Sequence, residues 1–450
     1  MTQSPKKGVI NLLQEFSVPL IVGVAAALLA ANLAPDWYHH WFGEAHGDHS
    51  DVWHLPFSIF GHPVTIHFLV NDIFMVFFFG IAAKEVTEAT LPGGNLSPLK
   101  KAINPLFATL GGVVGPVAVF FGGVMLATSM GAYDAADTEH MGLVHRGWGI
   151  PTATDIALAW LVARAVFGRG HPAINFLLLL AVADDAIGLG IIAVFYGDVA
   201  NPAQPQWLGL VAAAMAIAYA LRKMNVQSWV PYIFIAGPIS WMGLIFAHLH
   251  PALALVAIVP FLPGPKRDTG MYVSSDEIDT MGDKLAADLE MDHSPLHNFE
   301  HSMKAFVDFG LFFFAMANAG VQMAGIGAMT WIILAALVLG KTLGITLLGL
   351  LAKGLGFPLP ERMGLKELAM AGFIAALGLT VALFVAGAAF PMDEALRGQA
   401  KMGALMSGFV GLAAILIGRM FGFKGPAPES EGTSADSEPR SEGEPKMAKV

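Results

Sequence analysis

Two aspartates, Asp184 and Asp185, stand side by side near the middle of the apolar run LLLLAVADDAIGLGIIAVFY. Adjacent residues on a helix point about 100° apart, so one carboxylate can face a cavity while the other faces a neighbouring helix. No packing role needs two acids there. Close carboxylates repel one another, and protons or a hard cation relieve the repulsion. Such cations prefer oxygen ligands, so this pair is a natural place for Na⁺ and H⁺ to compete.

Two further charges occupy apolar runs. Asp155 follows Pro151, Thr152, Ala153 and Thr154 in GIPTATDIALAW. A proline and two threonines ahead of a buried acid suit a helix interrupted at depth, with backbone groups freed to meet an ion. Lys341 lies in LVLGKTLGITLLG, about 15 Å from either end of its run at helical rise, too far for its side chain to reach an interface. It needs an acidic partner, and one of the Asp184–Asp185 pair is the obvious candidate. Asp72, in Asn71-Asp72, either helps line the same path or makes a local polar contact. An ionisable residue at such depth costs several kcal/mol unless paired or hydrated, so each is a functional candidate by default.

The elements that must position these groups are membrane helices. The chain of 450 residues is 55% hydrophobic and only 13% charged, with a mean hydropathy of +0.61, too apolar for a soluble domain of this length. Twelve candidate helices are expected near 17–34, 65–90, 105–130, 148–166, 173–196, 207–224, 230–246, 250–263, 302–323, 330–351, 365–390 and 400–422. The runs are continuous and rich in Ala, Leu, Met and Gly, which favours helices over a barrel of alternating polarity. The fold class expected is therefore all-α and polytopic. Gly378 and Thr380 weaken the eleventh run, which holds the place in runs ten to twelve that the Asp155 run holds in three to five. Interrupted helices at corresponding positions point to inverted repeats, near 105–196 and 330–422, with a site at the midplane.

Charge placement sets the expected orientation. With the N-terminus cytoplasmic, 21 of the 25 Lys and Arg residues fall inside; Arg146, Arg397 and Lys401 fall outside, and Lys341 remains within a span. Both termini are then cytoplasmic. Lys6 and Lys7 ahead of an apolar stretch mimic a secretory leader, but a chain with many later spans needs none. The segment 1–16, the acidic loop 264–300 and the tail 425–450, rich in Pro, Ser, Gly and Glu, are expected in the cytoplasm, the tail disordered. His39, His40, His46, His49 and His54 crowd the first outer loop without a recognised metal-ligand spacing, so a structural or interfacial role is expected. The absence of cysteine removes disulfides, thiolate metal sites and cysteine nucleophiles.

These motifs together resemble the NhaA-type sodium/proton antiporters. ATDIA around Asp155, the Asp184–Asp185 pair with Phe195-Tyr196 beyond it, Gly340-Lys341 with the following LGI, ANAG at Ala317 to Gly320 and LGLT at Leu377 to Thr380 occur in order. Asn71-Asp72, His250 and Glu300-His301 match as well. The resemblance covers nearly the whole membrane region. It implies two inverted three-helix repeats with crossed, broken helices at the fourth and eleventh spans. It implies Asp185 as the principal Na⁺ and proton carboxylate, Asp184 as partner of Lys341, Asp155 as part of the site, and Thr154, Thr380 and Asp72 as supporting groups. Glu85, Glu88, His250, Glu300 and His301 are candidate pH sensors.

The activity implied is electrogenic exchange of Na⁺, with Li⁺ a second candidate cation, for about two H⁺ in the bacterial inner membrane, serving sodium and pH homeostasis. The partners are Na⁺, H⁺ and lipid, with a homodimer left open and no cofactor or nucleic acid implied. A sodium-coupled symporter of an organic solute is the alternative, though it should show more polar binding residues. An intramembrane aspartyl protease is disfavoured because no Gly-x-Gly-Asp run is present and such an enzyme has no evident use for Lys341.

Overall fold

A computed structural model describes residues 17–43, 51–91, 99–168, 170–197, 202–264, 294–360 and 362–423. The segment 1–16, His46 and His49, most of the acidic loop and the tail 425–450 lie outside the described residues.

The chain is predominantly helical. In order come α1 (Val18–Leu33), α2 (Pro35–Phe42), a β1–β2 hairpin (His54–Ile59 and His62–Thr65), α3 (Ile66–Thr90), α4 (Leu99–Ser129), α5 (Thr138–Arg146), α6 (Ile156–Phe167) and α7 (Pro172–Phe195). There follow α8 (Leu208–Lys223), α9 (Tyr232–Phe246), α10 (Pro295–Asn318), α11 (Ala328–Gly354), α12 (Leu365–Ile374), α13 (Thr380–Ala389) and α14 (Glu394–Phe421). Among the described residues five helices are long and apolar enough to cross a membrane, α3, α4, α7, α11 and α14, and a sixth span results if the bent pair Thr138–Thr152 and Ile156–Phe167 counts as one. Helices α1, α9 and α13 are apolar but shorter.

The fold is mostly helical as expected, with one hairpin that the all-α reading did not include: in the first outer loop β1 and β2 pair antiparallel, Ile59 opposite His62. Phe60 and Gly61, both at positive φ, form a two-residue turn of the kind that matches strand twist. The run 250–263 is not a regular helix. Pro251, Pro260 and Pro263 supply no backbone N–H, and the segment advances by i to i+3 turns such as Leu253 N–H to His250 O and Val256 N–H to Leu253 O. The histidines of the outer loop hold backbone: His40 Nδ1 lies 2.7 Å from Asp51 O and His54 Nδ1 2.9 Å from Val52 O.

Both expected interruptions are present. A 3₁₀ turn over Gly147–Thr152 leads into an extended Ala153, and α6 starts at Ile156 with its axis bent by 48°. The second lies between α12 and α13, at 375–379. The pattern of long helix, broken helix, long helix thus occurs twice, over α4 to α7 and over α11 to α14. His171, at the N-terminus of α7, caps that helix by accepting from Ala173 N–H at 3.1 Å. Burial and the nearby Arg362 hold its pKa below the usual histidine value.

Glycines set the spacing of α4 and α11. Gly111 and Gly115 face Gly340 and Gly344, and a Cβ on Gly111 would lie 2.0 Å from Gly344 O. Small residues four apart let two helix backbones touch where lipid supplies no hydrophobic drive. Gly344→Val should therefore cost about 1–3 kcal/mol by overpacking. Gly122, whose Cβ would meet nothing within 4 Å, should accept Val with a change of only about 0.5 kcal/mol. Thermal unfolding of the detergent-solubilised variants, followed by tryptophan fluorescence, separates the two; equal losses would refute the packing account.

Candidate functional site

The two helix breaks meet. Asp155 N–H donates to Leu377 O at 2.7 Å, so the first break satisfies a carbonyl freed by the second. Thr154 Oγ1 lies 3.0 Å from Ala375 O, and Gly378 N–H donates to Ser407 Oγ at 3.2 Å. A side chain at Gly378 would strike Leu337 and crowd Ala153 O, so the glycine is what lets the second break lie against the first.

Asp155 caps both new helix starts. Its Oδ1 accepts from Leu158 N–H at 3.1 Å, the usual N-cap bond of α6. Its Oδ2 accepts from Thr380 Oγ1 at 3.0 Å at the start of α13. The carboxylate thus sits at two helix N-termini, each carrying about half a positive charge.

Lys341 is 0% exposed and leaves α11 at the end of a π-helical stretch, Ala336–Lys341. Its Nζ donates to Asp184 Oδ2 at 2.5 Å and to Thr154 Oγ1 at 2.6 Å. Thr154 Oγ1 also lies 2.8 Å from the same Asp184 oxygen. One hydroxyl therefore ties together a lysine, an acid and the second helix break. Asp184 Oδ1 is buried with no hydrogen-bond partner among the described residues.

Asp185 is placed differently. It is 8% exposed, its Oδ1 is likewise unpartnered, and it faces a small cavity lined by Phe79, Ala82, Leu189, Ile192 and Val381. The charges of Asp184, Glu85, Lys341 and Asp155 all bear on it. Hydrogen bonds thus join Thr154, Asp184 and Lys341 in one set and Asp155 with Thr380 in a second, the two sets sharing the Thr154-Asp155 backbone, and Asp185 adjoins them with an oxygen unpartnered among the described residues.

The other sequence candidates divide into separate places. Asp72 lies in a π-helical stretch of α3, about 10 Å along the helix from Phe79, and its carbonyl accepts from Trp241 Nε1 at 2.7 Å. It stands off from the cavity. Glu88 and Glu300 both take hydrogen bonds from Lys84, which is buried, and Lys304 Nζ lies 3.8 Å from Glu300. Glu85 is within reach of these charges as well as of Asp185. His301 is exposed. His250 is away from this group, its ring 4.5 Å from that of Phe384 and its Nδ1 buried without a partner among the described residues.

In the sequence Lys84 stood out only as one of the 21 basic residues assigned to the cytoplasmic side. The signal was its i, i+4 spacing to Glu88; the third member, Glu300, is 216 residues away and left no local trace. Asn71 and Asn318 were matched only as motif letters, yet they exchange amide hydrogen bonds, Asn318 Nδ2 to Asn71 Oδ1 at 2.8 Å and the reverse at 3.3 Å.

Comparison with known proteins agrees with this arrangement of motifs. The family described as Na⁺/H⁺ antiporter 1 matches residues 10–420. The chain is 55% identical over 410 residues to the Na(+)/H(+) antiporter NhaA of Geobacter sulfurreducens, covering 91% of this chain and 97% of that protein. It is 54% identical over 422 residues to the protein of the same name from Desulfitobacterium hafniense, covering 94% and 98%. With the one from Jannaschia sp. it shares 41% over 441 residues, covering 91% and 97%. This membrane-embedded, multi-pass chain belongs to the Na⁺/H⁺ antiporter 1 family.

Proposed function

We propose that the protein exchanges Na⁺ for H⁺ across the inner membrane by alternating access around Asp185, with Li⁺ as a second cation it accepts. The names of its relatives support Na⁺/H⁺ exchange, and members of this family are secondary transporters, not enzymes. The single observation that carries the assignment to Asp185 is its unpartnered carboxylate oxygen beside a cavity, while Asp155 is taken up in capping and Asp184 holds Lys341. An organic solute would need more polar lining than Phe79, Ala82, Leu189, Ile192 and Val381 provide.

In this reading the two three-helix runs are inverted repeats with crossed broken helices, and both termini are cytoplasmic by the distribution of Lys and Arg. The site opens inward, exchanges protons for Na⁺, then opens outward to release the ion and reload. Lys341 either gives up a proton itself or holds Asp184 ready to accept one. Glu85, Glu88, Glu300 and Lys84, at the end proposed to be cytoplasmic, are placed to make entry pH-dependent, and a homodimer is compatible with the fold.

Asp185→Asn should abolish Na⁺-dependent proton movement in everted vesicles while the protein still inserts; exchange at the normal rate would remove Asp185 as the carrier. If two protons return for each Na⁺, one net charge crosses per cycle, and 100 mV drives exchange by about 2.3 kcal/mol. Imposing a potential on proteoliposomes should then change the rate, and indifference to voltage would exclude that stoichiometry. Removing Lys341 alone leaves a buried acid uncompensated, at a cost of about 3–5 kcal/mol. Lys341→Ala should lower the unfolding temperature, and adding Asp184→Ala should recover part of the loss; strictly additive losses would mean that the pair is not coupled.

A further inference from the structure

The cavity beside Asp185 has a direction. From Asp185 it runs along α7 past Leu189 and Ile192, toward the end of the molecule where the hairpin lies. Its opposite walls are Phe79 of α3 and Val381 of α13. One turn beyond Val381, toward the same end, stands Phe384, 3% exposed. Its ring meets that of Phe79 edge-on, with centroids 5.0 Å apart, and that of His250 at 4.5 Å.

These two ring contacts cross a seam. Phe384 belongs to α13, which is tied through Thr380 and Asp155 to the broken α5–α6 run. Phe79 and His250 belong to α3 and the 3₁₀ chain after α9, and this second group includes α10: Gly80 of α3 adjoins Leu255 of the 3₁₀ chain and Phe299 of α10. Beyond the ring cluster lie polar side chains. His250 Nδ1 is buried and lacks a partner among the described residues, His67 is close enough for its charge to bear on His250, and Asn71 both donates to His67 Nε2 at 2.8 Å and pairs with Asn318. A buried polar nitrogen without a partner is a standing cost, here located where an aromatic plug separates it from the ion cavity.

We infer that Phe384, clasped between Phe79 and His250, is the barrier that closes the Asp185 cavity toward the hairpin end. Opening on that side parts Phe384 from both rings, and His250, His67, Asn71 and Asn318 are the first polar groups the cation meets as it leaves. The inference rests on Asp185 as the ion site, but its test reads access and not exchange.

The chain contains no cysteine, so a single Leu189→Cys reports access to the cavity without a background. In sealed vesicles that present the hairpin outward, an orientation checked with Phe57→Cys on the exposed strand, a membrane-impermeant thiol reagent should modify Leu189→Cys slowly. Adding Phe384→Ala should raise that rate at least about tenfold, because two ring contacts that hold the closed form are lost. Phe384→Leu, which keeps more of the volume, should lie between, and it carries the test if the alanine variant does not fold. Phe313→Ala, which removes an exposed aromatic of α10, should leave the rate unchanged. Equal rates with Phe and with a folded Ala or Leu at 384 would overturn the barrier. Failure of the Asp185 assignment would appear instead as exchange persisting in Asp185→Asn, whatever the labelling rates.

Discussion

The structure depends on keeping one lysine charged, or chargeable, where no water reaches it. Lys341 is wholly enclosed, and an isolated ammonium at such depth costs about 2.5–3.5 kcal/mol even on the mildest scale. Its solution is a short bond to Asp184 supported by Thr154. That solution fixes much else. Thr154 is available only because its helix is broken one residue before Asp155. The break is tolerable only because the second break lends it Leu377 O and Ala375 O. Lys341 reaches the pair only because Gly340 and Gly344 let α11 lie directly on Gly111 and Gly115 of α4.

How much of this was legible in sequence depended on the range of each interaction. The first break was readable because its causes are local: Pro151 lacks an N–H and Asp155 is an N-cap residue three before Leu158. The second rested on Gly378, Thr380 and the matching place in the repeat, while the reason for the glycine is a neighbour 41 residues away, Leu337. Burial of Lys341 followed from counting residues to the ends of its run, but the residues themselves left open which aspartate it meets. The hairpin was missed because His54 to Thr65 carries too little alternation to stand out beside the apolar runs. The run 250–263 was read as helix from hydropathy, although its three prolines spoke for the 3₁₀ turns that the structure shows.

The two ends of the molecule handle charge in different ways. Lys84, Glu88 and Glu300 form a compact cluster of opposite charges, with Glu85 between it and Asp185. Toward the hairpin the groups are amides and imidazoles, Asn71, Asn318, His67 and His250, behind the ring of Phe384. A path with acids on one side and weak dipoles on the other would concentrate cations at one mouth and release them readily at the other, since amides bind a cation without a net charge to hold it.

On the proposed assignment, the local charge balance lets a single acid carry exchange. With every carboxyl ionised, Asp155, Asp184 and Asp185 set three negative charges against one on Lys341. The two helix starts at Asp155 together offset about one more. The enclosure is then short by about one positive charge, and Asp185, which has a free oxygen and a cavity, is where that charge can be supplied. On that assignment one Na⁺ or one H⁺ restores the balance equally well, so neither needs the other to be present, and the two exclude each other. A second proton per cycle, on the proposed stoichiometry, requires another acceptor within the same enclosure. Asp184 and Lys341 are joined by a short bond, so a proton gained or lost by either is felt by both. The same bond that makes the buried lysine tolerable is therefore the one through which a second proton can be coupled to the first.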